Sequence, residues 1–315
     1  MDAWSRFWRQ GHSTTFGDYF EQGYAGPVKA WLDSLPHQFP RTTDRFSALE
    51  LCCGNGSLLP FLFSLGRDFD YVGIDAATIA LPKMLEQTVQ QSASTVSLMG
   101  NTAAEALPEA LQDIDVCLSV YGMEYSRLEE TLLSLHKKMS AGGKLFALMH
   151  HQQSVVAQMS QRAVDEYHEK DIALIQSSLL TIHKTLVDKG NVAALKADAE
   201  AEQARKFMNG MGNKYVHGAT LETGNAFMAD HVLAALRFFK LLGQPADMRA
   251  RFVSELAEEA SAARERHQQM LSVASNAADM EALIRRMATI GWTDQQFNAL
   301  TNKEGIIGWT LTATA

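Results

Sequence analysis

Glu50-Leu51-Cys52-Cys53-Gly54-Asn55-Gly56-Ser57 stands where an apolar run, Phe46–Leu51, gives way to a helix-like stretch near Leu58–Leu65. Gly54 and Gly56 permit a tight turn and let a ligand approach the backbone closely. Ser57 is placed to cap the following helix, whose free N–H groups would face a ligand. A Gly-x-Gly turn alone is common in purely structural loops. Its partner here is Asp75, nineteen residues after Gly56, at the end of Val72-Gly73-Ile74-Asp75. An acid closing the second strand can accept hydrogen bonds from both hydroxyls of a ribose. Loop and acid together predict a nucleoside site.

Outward from this loop, short apolar runs alternate with amphipathic stretches. The runs are Phe46–Leu51, Tyr71–Ile74, Thr95–Met99, Asp115–Val120 and Lys144–Met149. Helices are expected near Leu58–Leu65, Thr78–Gln90, Ala103–Leu111 and Arg127–Met139. That alternation predicts parallel strands whose carboxyl ends share one ligand-binding edge. Residues 152–278 read as helix almost throughout, broken at Gly190-Asn191, across Asn209–Asn225 and at Gly243-Gln244-Pro245. A helix near Met280–Ile290 follows, then Gln295–Leu300 and Ile306–Thr314, a hairpin expected to join the sheet. The predicted fold is α/β: a doubly wound, seven-stranded, mostly parallel sheet with a C-terminal antiparallel hairpin and an all-helical insertion. Residues 1–45 form an aromatic-rich helical arm, 46–151 with 279–315 the core, and 152–278 the insertion. The arm carries Trp4, Phe7, Trp8, Phe16, Tyr19, Phe20, Tyr24, Trp31 and Phe39. Those rings either pack on the core or cover a ligand.

A dinucleotide fingerprint would place a third glycine at position 59, where this chain has Leu59. Glu50 before the loop would repel a pyrophosphate and would suit a cation. S-adenosylmethionine carries a sulfonium and an ammonium and no phosphate, so it is favoured over NAD. On the Glu50–Gly56 loop, the Val72–Asp75 strand end and the terminal hairpin, the chain resembles the class I S-adenosylmethionine-dependent methyltransferases. The resemblance covers residues 46–151 and 280–315. It implies that Glu50, Cys52, Gly54 and Gly56 hold the methionine moiety and Asp75 the ribose, with Ala76 beside the adenine. Gly100-Asn101-Thr102-Ala103 would follow the adenine edge, and Ser119, Val120 and Tyr121 would lie beneath the sulfonium. Cys52 stands where the family usually has glycine, and Asn101 where it often has aspartate.

Methyl transfer is an in-line displacement at an already activated carbon, so positioning and water exclusion supply much of the catalysis. A base is needed only where the acceptor must lose a proton. Candidates follow strands four and five: Tyr121, Glu124, His150 and His151. The two histidines alternate faces, so one of them can simply bond backbone. Asn209–Gly218 could carry Tyr215 and His217 into the cleft on a loop or be a plain connector. No residue set has metal-ligand spacing.

The net charge of -8 removes the usual electrostatic reason to propose nucleic acid. Residues 151–280 hold 14 Lys and Arg against 16 Asp and Glu, so the insertion has no basic excess. Three cysteines make no disulfide framework, and no segment reads as a secretion signal or membrane span. The expectation is a cytoplasmic methyltransferase acting on a small or medium-sized molecule, without a membrane partner, and with the insertion as a substrate-side lid or a homodimer element. The alternatives are an RNA or protein methyltransferase and a non-catalytic binder of S-adenosylmethionine or S-adenosylhomocysteine.

Overall fold

The computed structural model describes residues 2–17, 23–39, 45–218 and 224–315; Tyr19, Phe20 and part of the Asn209–Asn225 stretch lie outside them. Two helices, α1 (Ala3–Trp8) and α2 (Gly26–Ser34), precede the sheet. Its strands are β1 (Arg45–Leu51), β2 (Asp68–Ile74), β3 (Thr95–Met99), β4 (Ile114–Val120), β5 (Met139–Met149), β6 (Thr293–Asn302) and β7 (Gly305–Thr314). They lie in the order β3-β2-β1-β4-β5-β7-β6. The first five are parallel to one another, while β7 runs antiparallel between β5 and β6. The order reverses beside β1, so crossovers to β2 and to β4 leave on opposite faces and open a crevice at their carboxyl ends.

Alternation along β1 shows why both faces are covered. Leu49 and Leu51 join an apolar cluster with Leu132 and Leu135 of α5 (Leu128–His136) and the buried Trp292. Phe46 and Ala48 face the other way, against Val28 and Leu32 of α2 and Leu59 and Leu62 of α3 (Leu59–Ser64). Each such side chain, fully buried, contributes about 1.5–3 kcal/mol. The surface helix α4 (Lys83–Gln91) links β2 to β3.

The connection from β3 to β4 corrects the expected Ala103–Leu111 helix. It runs as turns, with Ala104 and Leu107 buried as anchors. Pro108 disfavours helical geometry at Leu107, and its ring cannot continue a helix begun before it.

By contact, the chain forms two compact units, one running to Met159 and resuming at Gln269, the other Ser160–Gln268. The second is helical. Helix α6 (Val155–Asp165) leads into it, followed by α7 (Glu169–Lys189), α8 (Ala194–Ala197), α9 (Ala199–Gly212), α10 (Ala226–Leu236) and α11 (Ala246–Val273). Ile175, Leu179, Ile182 and Leu186 make one stripe of α7 and pack with Met208, Val232, Phe238 and Val253. Gly190, at φ 72°, ends α7 in the left-handed region that favours glycine. The Asn209–Gly218 stretch is no free loop. Helix α9 continues through both of its glycines into a wide helical turn, Asn213–His217, where the Tyr215 hydroxyl bonds Asp171 and His168. Helix α12 (Ala277–Ile290), closed at its N-terminus by an Asn276–Asp279 capping box, returns the chain to the sheet.

Candidate functional site

The loop after β1 folds as its glycines predict. Cys52, Gly54 and Gly56 all take positive φ, and Cys53 N donates to Ile74 O at 2.9 Å, tying the loop to the end of β2. Glu50 lies behind the loop, not in front of it. Period-two alternation sends its side chain to the α3 face, where it is 1% exposed. There Ser57 Oγ donates to Oε1 (2.7 Å), Tyr71 Oη to Oε2 (2.7 Å) and Leu58 N to Oε2 (3.3 Å). Burial still pushes the carboxyl up to about 7. Ser57 is therefore no helix cap. Its hydroxyl serves Glu50, and α3 starts without a side-chain cap, with a proline in its first turn.

Asp75 holds the centre of the edge. Oδ2 accepts Gly54 N and Oδ1 accepts Ala77 N, both at 2.8 Å, so one carboxylate pins the loops after β1 and β2. A carboxylate has about four acceptor sites, which leaves two for a ligand. Burial raises its pKa against those two bonds, which lower it. Beside it opens a cavity of 320 Å³, lined by Cys52, Asp75, Ala76 and Ala77 and, after β3, by Ala103, Ala104 and Glu105. That size is near the lower end of ligand pockets, about 300–1,000 Å³.

After β4 the chain turns sharply. Tyr121 has φ 54°, and a Cβ on Gly122 would lie 2.5 Å from the Cys52 Cβ, so only glycine lets the two loops meet. Tyr121, Gly122 and Tyr125 line the cavity. The Tyr121 ring stacks on His150 at 4.6 Å between centroids, and Tyr125 Oη meets His150 Nε2 at 3.2 Å. Glu124 Oε1 accepts the His150 backbone N–H at 2.8 Å. Burial moves these two groups in opposite directions, Glu124 up to about 7 and His150 down to about 3. Among the described residues, neither Glu124 Oε2 nor His150 Nδ1 has a hydrogen-bond partner. Orphaned buried polar atoms of this kind are rare in native proteins and call for a functional explanation.

The strand order, with β7 antiparallel beside β5 and a glycine loop and acid meeting at the carboxyl edge, decides the fold family. It is the class I methyltransferase fold. No protein-family model and no curated protein matches the chain. Among solved structures it is similar to S-adenosylmethionine-dependent methyltransferases from Mesorhizobium loti, Thermotoga maritima and Clostridium acetobutylicum. The first is 14% identical, over 41% of this chain and 56% of that one, at a TM-score of 0.32. The second is 16% identical, over 52% and 69%, at 0.34. The third is 16% identical, over 39% and 51%, at 0.31. The chain spans about three-fifths of the length of the first structures it matches.

Within this methyltransferase fold, the sequence-predicted residues divide. Cys52, Asp75, Ala76 and Tyr121 line the cavity. Gly54 and Gly56 shape the loop without lining it. Asn101 is exposed and accepts from Thr78 Oγ1 at 3.1 Å, while Thr102 N donates to Asp75 O. Ser119 is a brace, donating to Leu51 O and accepting Met123 N, and Val120 is buried. Glu124 and His150 stand behind the tyrosines. His151 turns away: its Nδ1 accepts Gln153 N, and its ring lies against Trp309. Among the described residues no cluster of three metal-ligating side chains occurs, and no helix is long and apolar enough to cross a membrane.

Sequence reasoning missed Asn55, Tyr125 and the particular rings of the arm. Asn55 Nδ2 donates to the carbonyls of Trp8 (2.8 Å) and His12 (3.0 Å), and its Oδ1 accepts Ala80 N (3.0 Å). Asp2, Trp4, Trp8 and Thr15 line the same cavity. A polar residue between two loop glycines was the only signal available for Asn55.

Proposed function

We propose that this chain is an S-adenosylmethionine-dependent methyltransferase for a small or medium-sized acceptor. The observation that carries the reading is Asp75: a buried carboxylate, fixed by two backbone N–H groups, with acceptor capacity left over at a nucleoside-sized cavity. The lining chemistry fits the cofactor, since the described lining residues include acids and aromatic rings but no Lys, Arg or His. Such a wall suits a nucleoside bearing positive charge and lacking phosphate. Asp75 would hold the ribose, Ala76, Ala77, Ala103 and Ala104 the adenine surface, and Cys52 and Tyr121 the amino-acid end. When bound, S-adenosylmethionine supplies a methyl group on a sulfonium.

The chain's own contribution is to position, to exclude water and to take a proton. Tyr125 Oη reaches the cavity wall, and behind it His150, held neutral by burial, offers Nε2 as acceptor. A proton lost by the acceptor passes to Tyr125 Oη as the tyrosine's own proton moves to His150 Nε2. Glu124 Oε1 accepts the His150 backbone N–H and so fixes where the ring stands. His151 takes no part in this route. Tyr125→Phe is expected to lower kcat about 100-fold with cofactor affinity unchanged, measured as S-adenosylhomocysteine release. Equal rates for the two proteins would remove the relay.

The helical unit is inserted in the chain after β5, and we assign it acceptor selection. A second reading gives it self-association, favoured by the exposure of Leu174, Leu180, Val187, Val192 and Leu233. Parallel calorimetric titration with S-adenosylmethionine, S-adenosylhomocysteine and NADH tests the proposal. Micromolar binding of the first two and none of NADH is expected; the reverse pattern would overturn it. An acceptor panel of amines, phenols, thiols and carboxylic acids then separates an enzyme from a non-catalytic binder. Salt-dependent retention of RNA would favour the macromolecular alternative.

A further inference from the structure

The amino-terminal helix is seated on the glycine loop with unusual closeness. A Cβ built on Gly54 would lie 2.4 Å from Cζ2 and 2.5 Å from Cη2 of Trp8, so the indole rests where any other residue would put its side chain. Polar contacts among the described residues hold the helix there. Asn55 Nδ2 donates to Trp8 O, Thr78 N donates to Ser5 Oγ (2.8 Å), and Trp4 Nε1 donates to Gln269 Oε1 (2.9 Å). Trp4 lies edge-on to Tyr125, with ring centroids 5.6 Å apart, and stacks towards Trp8 at 6.4 Å. Trp4, Trp8, Tyr121 and Tyr125 all line the one cavity.

Packing alone does not explain that arrangement. Phe7 and Trp8 are buried with Ala77, and Trp4 and Ile79 pack against them, yet both tryptophans also present surface to the cavity, which Phe7 does not line. What the cavity adds is a collection of π-systems in a wall whose charged members are Asp2, Asp75 and Glu105. Asp2 caps Ser5 N, Asp75 pins two loops, and Glu105 pairs with the exposed Arg127. The ring quadrupole attracts a cation, more strongly once the cation has left water, and the carboxylates add to the same field.

We propose that α1 is a ligand-binding element: Trp4 and Trp8, with Tyr121 and Tyr125, form an aromatic cage that selects a cationic ligand over its neutral counterpart. This rests on reading the cavity as the S-adenosylmethionine site. The cation recognised is then the sulfonium, and the disfavoured neutral species is the thioether product, S-adenosylhomocysteine. The cage binds the charged methyl donor and weakens its grip once the methyl and the charge have gone.

The test is calorimetric. Wild type, Trp4→Leu and Trp8→Leu are titrated with S-adenosylmethionine, with S-adenosylhomocysteine, and with an analogue carrying a protonated amine in place of the sulfonium. Leucine keeps apolar bulk and removes the quadrupole. The two cations are expected to bind about tenfold more weakly to each variant, with the neutral thioether changed by no more than about twofold. Equal weakening of all three ligands would make the tryptophans mere packing and overturn the cage, as would no change in any of them. Failure of wild type to bind any of the three overturns the underlying site reading together with the cage, and so is told apart from failure of the cage alone. Melting curves accompany each titration. Should Trp8→Leu not fold, the part-exposed Trp4→Leu and the ring-retaining Trp8→Phe, expected to keep most of the discrimination, carry the same comparison.

Discussion

Asp75→Ala is expected to weaken S-adenosylmethionine binding about 100-fold or more. Hydrogen bonds to a charged acceptor are worth about 1.5–3 kcal/mol each, and the proposed ribose makes two. The loss has a second origin, because the same carboxylate accepts Gly54 N and Ala77 N and so spaces the walls of the site. Ligand chemistry separates the two contributions. A 2′-deoxy analogue of S-adenosylhomocysteine already lacks one ribose donor, so it should lose much less than the parent when Asp75 becomes alanine. Identical losses for parent and analogue would mean that Asp75 acts only as a loop pin. Asp75→Asn, with one remaining acceptor oxygen, should fall between wild type and alanine. Calorimetry on the three proteins measures all of this.

Glu50 governs the second large effect, which falls on stability. Its carboxyl is raised from 4.5 to about 7 in the fold, so the folded chain binds this proton more tightly than the unfolded chain does. The stabilisation is complete below the unfolded value of 4.5 and is lost as pH rises through about 7. A shift from 4.5 to about 7 corresponds to about 3 kcal/mol. Other groups titrate in this range: burial raises Glu124 as well, and lowers His150, His151, His183, His231 and His267, whose contribution has the opposite slope. Glu50→Gln isolates the one group. The amide oxygen can accept from Tyr71 and Leu58, and its NH₂ can donate to Ser57. At pH 5 variant and wild type should be similar in stability; by pH 8 the variant should be the more stable by about 3 kcal/mol. Urea unfolding at both pH values measures the difference. A gap that does not change with pH would show that Glu50 is ionised in the fold. Glu50→Ala should instead destabilise at every pH, since it strands Tyr71 Oη, Ser57 Oγ and Leu58 N in a dry pocket.

The two effects belong to two acids that the sequence treats alike and the fold separates. Both close a parallel strand beside the glycine loop. Asp75 lies one residue beyond β2, where the chain has left the sheet and the carboxylate can look along the edge. Glu50 is still within β1, one residue before its end, and strand alternation commits its side chain to a face instead of the edge. Two positions relative to the strand end make the difference between an acid that lines the cavity and a buried brace.

The same logic marks how far the rest of the site was legible. The sheet could be read because five apolar runs and a terminal hairpin carry their periodicity locally, and the helical unit because its α7 stripe does the same. The glycine loop was legible because positive φ at Gly54 and Gly56 is a backbone demand that residue type announces. Ala103–Leu111 misled for a related reason: its composition suits a helix, but Pro108 and the anchoring of Ala104 and Leu107 in the core override it. Asn209–Gly218 misled in the opposite sense. Its glycines suggest a break, yet the Tyr215–Asp171 and Tyr215–His168 contacts hold a helical turn beyond them.

By itself the sequence determined the architecture, the edge at which the cavity opens and the acid that lines it, since these follow from alternation, turn chemistry and strand connection. Only the tertiary structure decided which of two adjacent histidines meets the cavity wall, that Tyr125 stands between His150 and the cavity, and that Trp4 and Trp8 line the same cavity as Tyr121 and Tyr125. Those pairings join residues 25 positions apart, as in Tyr125 and His150, to more than a hundred, as in Trp4 and Tyr125. No local pattern encodes them; they exist only once the helix before the sheet and the turns after β4 and β5 are brought to one edge.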